Sequence, residues 1–148
     1  DYIYDSSVVP AKTDLYGLPN AQHGPYRISS NSIEKDNPDG KLIEFPLLVT
    51  KFLGKNIPAA GGFYLRTLPM RVIKNAIRQY EKQEIPASFY IHSWELTPEF
   101  MPKLDLPFKD KFATYHNLDK AYSRMSDLLK IFEFTSFSRY ITENKTIN

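Results

Sequence analysis

His92, Trp94 and Glu95 fall together just after an apolar run, Ala87 to Ile91, entered from Pro86. The run reads as a short buried strand. Sheets of βα units place their sites at the carboxyl ends of strands, and an imidazole there can give or take a proton near neutral pH. A core-edge histidine satisfied by hydrogen bonds is the structural alternative. Asp5 ends a second candidate strand, Tyr2-Ile3-Tyr4. A carboxylate beside an imidazole favours its charged form, whereas an Asx-turn onto the backbone two residues on would make Asp5 structural. Arg66 closes the stretch Gly61-Gly62-Phe63-Tyr64-Leu65-Arg66. Its guanidinium suits a carboxylate or a sugar hydroxyl, or a neighbour at the surface. Paired glycines let backbone pass close to a ligand, but no Gly-Lys-Ser/Thr follows, so this is not a phosphate loop. His23 lies in the turn-rich stretch 10–27 and reads as a solvated loop residue.

The positioning elements follow from patterning. Tyr26 to Ile28 predicts a short strand, and Asn37-Pro38-Asp39-Gly40 a turn. Leu42 to Val49 predicts a strand broken at Pro46, and Phe63 to Leu65 another. Met70, Ile73, Ala76, Ile77 and Tyr80 recur at helical spacing, so residues 68–83 predict an amphipathic helix with Thr67 as its cap. A long connector, Leu96 to His116, carries Phe100, Phe108, Phe112 and Tyr115, which suggests that it is tied down. Asn117 then caps a helix with an apolar stripe of Leu118, Ala121, Tyr122, Met125, Leu128 and Leu129. Phe132 to Thr135 alternates as a last strand, Ser136 to Ile141 predicts a final helix, and a polar tail runs to Asn148. Strand, helix, strand, helix, strand is the order of an α/β sheet of βα units.

Length and composition bound the reading further. The 148 residues are 42% hydrophobic, enough for one core. Nineteen Lys and Arg against 17 Asp and Glu, scattered along the chain, argue against a nucleic-acid surface. The chain has no cysteine, so disulfides and thiolate metal sites are excluded. No apolar run approaches the ~18–20 residues that span a bilayer. The first residues, Asp1-Tyr2-Ile3-Tyr4, show neither a Met start nor a signal pattern, so the chain is expected to lack its natural beginning.

Several stretches together resemble the C-terminal half of NodB-type polysaccharide deacetylases, in the branch associated with exopolysaccharide clusters. They are Tyr4-Asp5-Ser6-Ser7 with Pro10, Tyr16-Gly17-Leu18-Pro19-Asn20-Ala21, Glu44-Phe45-Pro46, and Gly61 to Arg66 with Pro69. Phe89-Tyr90-Ile91-His92-Ser93-Trp94-Glu95 and Asn117-Leu118-Asp119 complete the series, in consistent order from about Tyr4 to about Ile141. The resemblance implies that residues 1–148 are the C-terminal part of an irregular (β/α)7 barrel. It implies metal-dependent hydrolysis of N-acetyl groups on a polysaccharide. A metal-bound water attacks the acetyl carbonyl, an aspartate takes its proton, and a histidine protonates the departing amine.

Residue by residue, His92 takes the place of the acid histidine, and Asp5 lies near the aspartate that tunes it. Arg66, Tyr64 and Trp94 would line the groove. The sequence departs from the family at Ser93, where the usual segment has proline, and at Thr114-Tyr115-His116, which leaves His116 without a role. The metal ligands of the family lie upstream, so the divalent metal, most commonly Zn, is expected on the missing N-terminal half and not on this chain. Alone, the chain is expected to be inactive. Its partners are expected to be an N-acetylated polysaccharide and, because half-barrels leave unpaired edges, the missing half or a second copy. A non-catalytic carbohydrate-binding or assembly module, using Trp94, Tyr64 and the connector aromatics as a platform, is the other reading.

Overall fold

In the computed structural model, residues 2–13 and 16–144 are described. The end of the predicted tail, 145–148, lies outside them. The fold is mixed α/β. Strands β1 (Tyr4–Asp5), β2 (Tyr26–Ile28) and β3 (Leu42–Glu44) form a sheet in the order β1-β3-β2. β1 runs parallel to β3, with Asp5 opposite Glu44, and β2 runs antiparallel. β4 (Val49–Phe52) and β5 (Lys55–Pro58) form a separate hairpin. Its turn places Leu53 at φ 48° and Gly54 at φ 78°, the left-handed pair that a tight hairpin needs. Six helices follow: α1 (Gly62–Thr67), α2 (Met70–Glu81), α3 (Ser93–Leu96), α4 (Phe108–Tyr115), α5 (Ala121–Leu129) and α6 (Phe137–Glu143). No helix among the described residues is long and apolar enough to cross a membrane.

The sheet is smaller than the pattern predicts, and the described strands close no barrel. Phe63 to Leu65 is helical, not a strand. Gly61 turns the chain at φ 99°, the backbone N–H of Leu65 donates to Gly61, and the helix buries both Leu65 and Arg66. Thr67 caps nothing; its hydroxyl donates back to the Phe63 carbonyl at 2.7 Å, inside α1, and α2 starts after Pro69. The segment before His92 is extended and only half-buried, with one parallel bridge, Leu47 to Ser88. Phe132 to Thr135 pairs with no strand; Phe132 packs into the core while Phe134 is largely outside it. The connector is more exposed than its aromatics suggest: Phe100 and Phe108 face solvent, although the Tyr115 hydroxyl donates to the Pro102 carbonyl and accepts from the Leu104 N–H. Of the predicted α5 stripe, Tyr122 and Leu129 are exposed.

The main core gathers Leu48, Val49, Leu65, Ile73, Ile77, Tyr80, Leu128 and Phe132. Thus α2 covers the hairpin while α1 and α5 close the far side. A smaller cluster seats Phe45 against Phe137 of α6, ring on ring at 4.4 Å, with Ile43 and Ile141. Fully burying one such side chain contributes about 1.5–3 kcal/mol. His23 is not a solvated residue. It stacks on Tyr80, bonds Asn56 at 3.1 Å, and is held neutral by burial and by Lys51.

The β1–β3 register puts two carboxyls together. Glu44 is fully buried, and its Oε1 accepts from the backbone N–H groups of Ser7 and Val8 at 3.1 and 2.9 Å. Its Oε2 has no donor, because the neighbour is Asp5, another acceptor. A proton between them removes the conflict, and burial, then Asp5, push Glu44 up to about 7. Folding therefore takes up a proton. Glu44's contribution is complete below its ordinary value near 4.5 and is lost as pH rises through 7. The loss is on the order of 3 kcal/mol for a shift of this size. Denaturant titrations should show stability falling between pH 5 and pH 8. Glu44→Gln, which carries its own donor to Asp5, should flatten that fall; an unchanged slope would show that the pair does not share a proton.

Candidate functional site

A cavity of about 590 Å3 opens between the 6–9 segment, α1, α3 and the end of α4. That volume lies in the range of small-molecule sites. His92, Tyr64, Trp94 and Arg66 all line it, beside Tyr90, Glu95 and the Ser6-Ser7 wall. Asp5 is not among the lining residues. Its Oδ1 accepts from the Ser7 hydroxyl at 3.0 Å, so it secures the wall through a side chain and not through an Asx-turn, and its charge falls on Glu44.

The carboxylate at His92 is Glu95. His92 is extended and enters α3 as its cap; Glu95 stands three residues on, the spacing of a capping box. Glu95 Oε2 accepts from the His92 backbone N–H and faces His92 Nδ1, both at 3.1 Å. With its Nδ1–H on this carboxylate, the ring is fixed in tautomer and orientation, and Nε2 meets the Tyr90 hydroxyl at 2.7 Å. The ring is flanked by Trp94, stacked at 5.1 Å, and by Tyr90, edge-on at 4.7 Å. The His92 side chain remains 44% exposed while Glu95 is 2% exposed. One partner is therefore open to a ligand and the other sealed.

Glu95 is held in turn by Arg66. Arg66 is 1% exposed, and its Nε and Nη2 reach Glu95 Oε1 at 3.1 and 2.9 Å. The single Nε–H is shared with the Gly62 carbonyl, and the remaining N–H groups meet backbone: Ala113 from Nη2, Thr114 and His116 from Nη1. These last carbonyls end α4, where a cation complements the helix dipole. The guanidinium thus forks onto a carboxylate of the protein, buried and not at the surface, and positions the site through Glu95. His116 contributes its carbonyl, while its ring bonds Asn117 and stacks on Phe112. Asn117 sits at φ 50° and ties back to the Arg66 carbonyl.

Gly62 completes the assembly. A Cβ on Gly62 would lie within 2.0 Å of the Glu95 carboxyl. The glycine does let something approach closely, but the guest is Glu95. The sequence signals were present without an address: a Glu three after a His, and a Gly four before an Arg. Tyr64 faces the cavity from α1, its phenol pushed well up by burial and by the Tyr16 hydroxyl, so it stays protonated. Among the described residues, no three His, Asp or Glu side chains converge on a point where a metal ion would sit. His92 in particular has both ring nitrogens engaged by protein. This donor set does not fit a metal centre.

Removing Glu95 leaves Arg66 charged and buried, a loss of about 3–5 kcal/mol. Glu95→Ala should lower the unfolding midpoint accordingly in denaturant titrations. Gly62→Ala should lower it as well, by displacing the same carboxylate. The two should be strongly sub-additive, because one defect contains the other; additive losses would mean that the glycine and the glutamate act separately.

The comparisons bear on the whole of this arrangement. The family described as Domain of unknown function (DUF3473) matches residues 6–142. This domain is associated with C-terminal regions of polysaccharide deacetylases in some families. No curated protein and no solved structure gives a significant match. With nearly the whole length matched, from the Ser6-Ser7 wall through the His92 loop to α6, the chain belongs to the DUF3473 family.

Proposed function

We propose that this chain supplies the acid side of a polysaccharide N-deacetylase site, with His92 as the proton donor to the departing amine. The observation that carries the reading is the clamp: Arg66 holds Glu95, Glu95 holds Nδ1, and an oriented imidazole lines an open cavity. Proton transfer from a positioned side chain is worth about 10²–10⁴-fold in rate. The likeness to the C-terminal half of NodB-type deacetylases agrees with the family association and supports reading this chain as part of an irregular (β/α)7 barrel, completed by the N-terminal half or by a second copy. On this reading the metal side belongs to the N-terminal half, as the resemblance implies.

The cavity suits an N-acetylated sugar. Five aromatic side chains line it: Tyr16, Phe63, Tyr64, Tyr90 and Trp94. Its fixed charges, Arg66 and Glu95, cancel in one buried pair. Faces of rings and neutral hydroxyls are what a sugar's C–H surface and amide can use. The same lining favours a second reading, a sugar-binding module without catalysis, in which Trp94 and Tyr64 form the platform.

Acetate release separates the two. The chain with Zn and an N-acetylated oligosaccharide should release none; with the metal-binding half supplied in trans, release should appear. In that mixture His92→Ala should reduce it by about 10²–10⁴-fold. Oligosaccharide should still quench or shift Trp94 fluorescence in the variant. Turnover by the chain alone, or an undiminished His92→Ala rate, would overturn the acid assignment. Tight sugar binding with no turnover in any mixture would select the module.

A further inference from the structure

We propose that Tyr90 relays the proton of His92: its phenol closes Nε2, and a proton leaving the imidazole passes through the phenol oxygen. The inference rests on reading His92 as the acid. Tyr90 Oη lies 2.7 Å from His92 Nε2, and both residues line the cavity. With Nδ1–H committed to Glu95, a neutral ring can only accept at Nε2, so Tyr90 donates. When the ring is charged, Nε2–H donates and the phenol oxygen accepts. The phenol's own hydrogen must then turn away, toward the cavity.

The proton presented to a ligand is therefore the phenol's. Delivery breaks the Tyr90 O–H and forms N–H on the departing amine; the His92 Nε2–H breaks and re-forms the Tyr90 O–H. The net change is one proton moved from imidazolium to amine, with Tyr90 regenerated and no redox change. Tyr90 is 50% exposed and lines the cavity, where a ligand can meet it. Its backbone has no ladder partner: Ser88 makes the single bridge of this segment and α3 begins only at Ser93. The Tyr90–His92 bond and the ring contact at 4.7 Å thus orient the side chain where a sheet does not.

The test needs neither substrate nor metal. Tyr90→Phe removes one oxygen from a half-exposed residue, and His23, which lines a different cavity and bonds Asn56, serves as the internal control. In ¹⁵N spectra of the unmodified chain at high pH, His92 should show the Nδ1–H tautomer with a hydrogen-bonded, unprotonated Nε2. The variant should keep the tautomer and shift the Nε2 signal. Carbethoxylation by diethyl pyrocarbonate, mapped by mass spectrometry, should speed up at His92 by about 2- to 10-fold, the range that releasing one neutral hydrogen bond allows. The rate at His23 should not change. An unchanged Nε2 signal with an unchanged His92 rate, or an Nε2–H tautomer in the unmodified chain, would overturn the proposal. If the chain shows this signature but the assembled enzyme ignores His92→Ala, the acid reading fails while the hydrogen bond stands.

Discussion

The Arg66–Glu95 pair is the contact on which the rest of the site depends. Both partners are almost fully buried, one on α1 and the other on α3. Two charges taken out of water are a poor source of net stability, even at 2.9 Å. What the pair does is dictate arrangement. Glu95 can be neither shorter nor elsewhere, because Oε1 is committed to the guanidinium and Oε2 to His92. Arg66 needs the carbonyls of Ala113, Thr114 and His116, so the end of α4 must sit where it does. Gly62 must stay bare because the carboxylate occupies the space of its side chain. One ion pair thereby fixes three helices and a histidine.

The same pair accounts for the electrostatic character of the cavity. An arginine and a glutamate on the lining would ordinarily advertise a charged ligand. Here each neutralises the other, and neither has an exposed face. The groups left to a ligand are aromatic rings, the Ser6 and Ser7 segment and the imidazole. An anionic ligand would find no free cation, and a cationic one no free carboxylate. A neutral ligand carrying hydroxyl or amide groups loses least on entering such a site.

Much of the local structure was legible, and the reasons are local. Asn37 to Gly40 carries its own turn chemistry: Asn37 accepts from the Asp39 and Gly40 N–H groups. Pro46 breaks the strand that Leu42 begins, and Ser136 caps α6 by accepting from the Arg139 N–H. The α2 stripe buries Ile73, Ala76, Ile77 and Tyr80 as its spacing requires. The misreadings share a different cause. Phe63 to Leu65 and Phe132 to Thr135 have strand composition, but composition does not supply a neighbouring strand. The first was captured by a glycine turn and a buried arginine; the second was left extended beside α5. In the site, His92 stood out by chemical type. Arg66 stood out too, but its partner lies 29 residues away in sequence. No spacing rule reaches that far, so a surface or ligand role looked as good as a clamp. Asp5's own neighbour was hidden for the same reason: the β3 register that sets Glu44 beside it is a long-range fact.

This division explains why His92 is held as it is. A histidine on a central strand is oriented by ladder hydrogen bonds on both sides. His92 has none, standing between a one-bridge segment and a four-residue helix. Backbone so lightly paired does not by itself aim its side chains. Side chains therefore take over the task of the sheet. Glu95 fixes one edge of the ring, Tyr90 the other, and Trp94 covers a face. Each contact is short, and each belongs to the segment 90–95. Among the described residues, Arg66 ties that segment's carboxylate to the body of the fold from outside, which is why a residue with no free N–H governs the arrangement of the site.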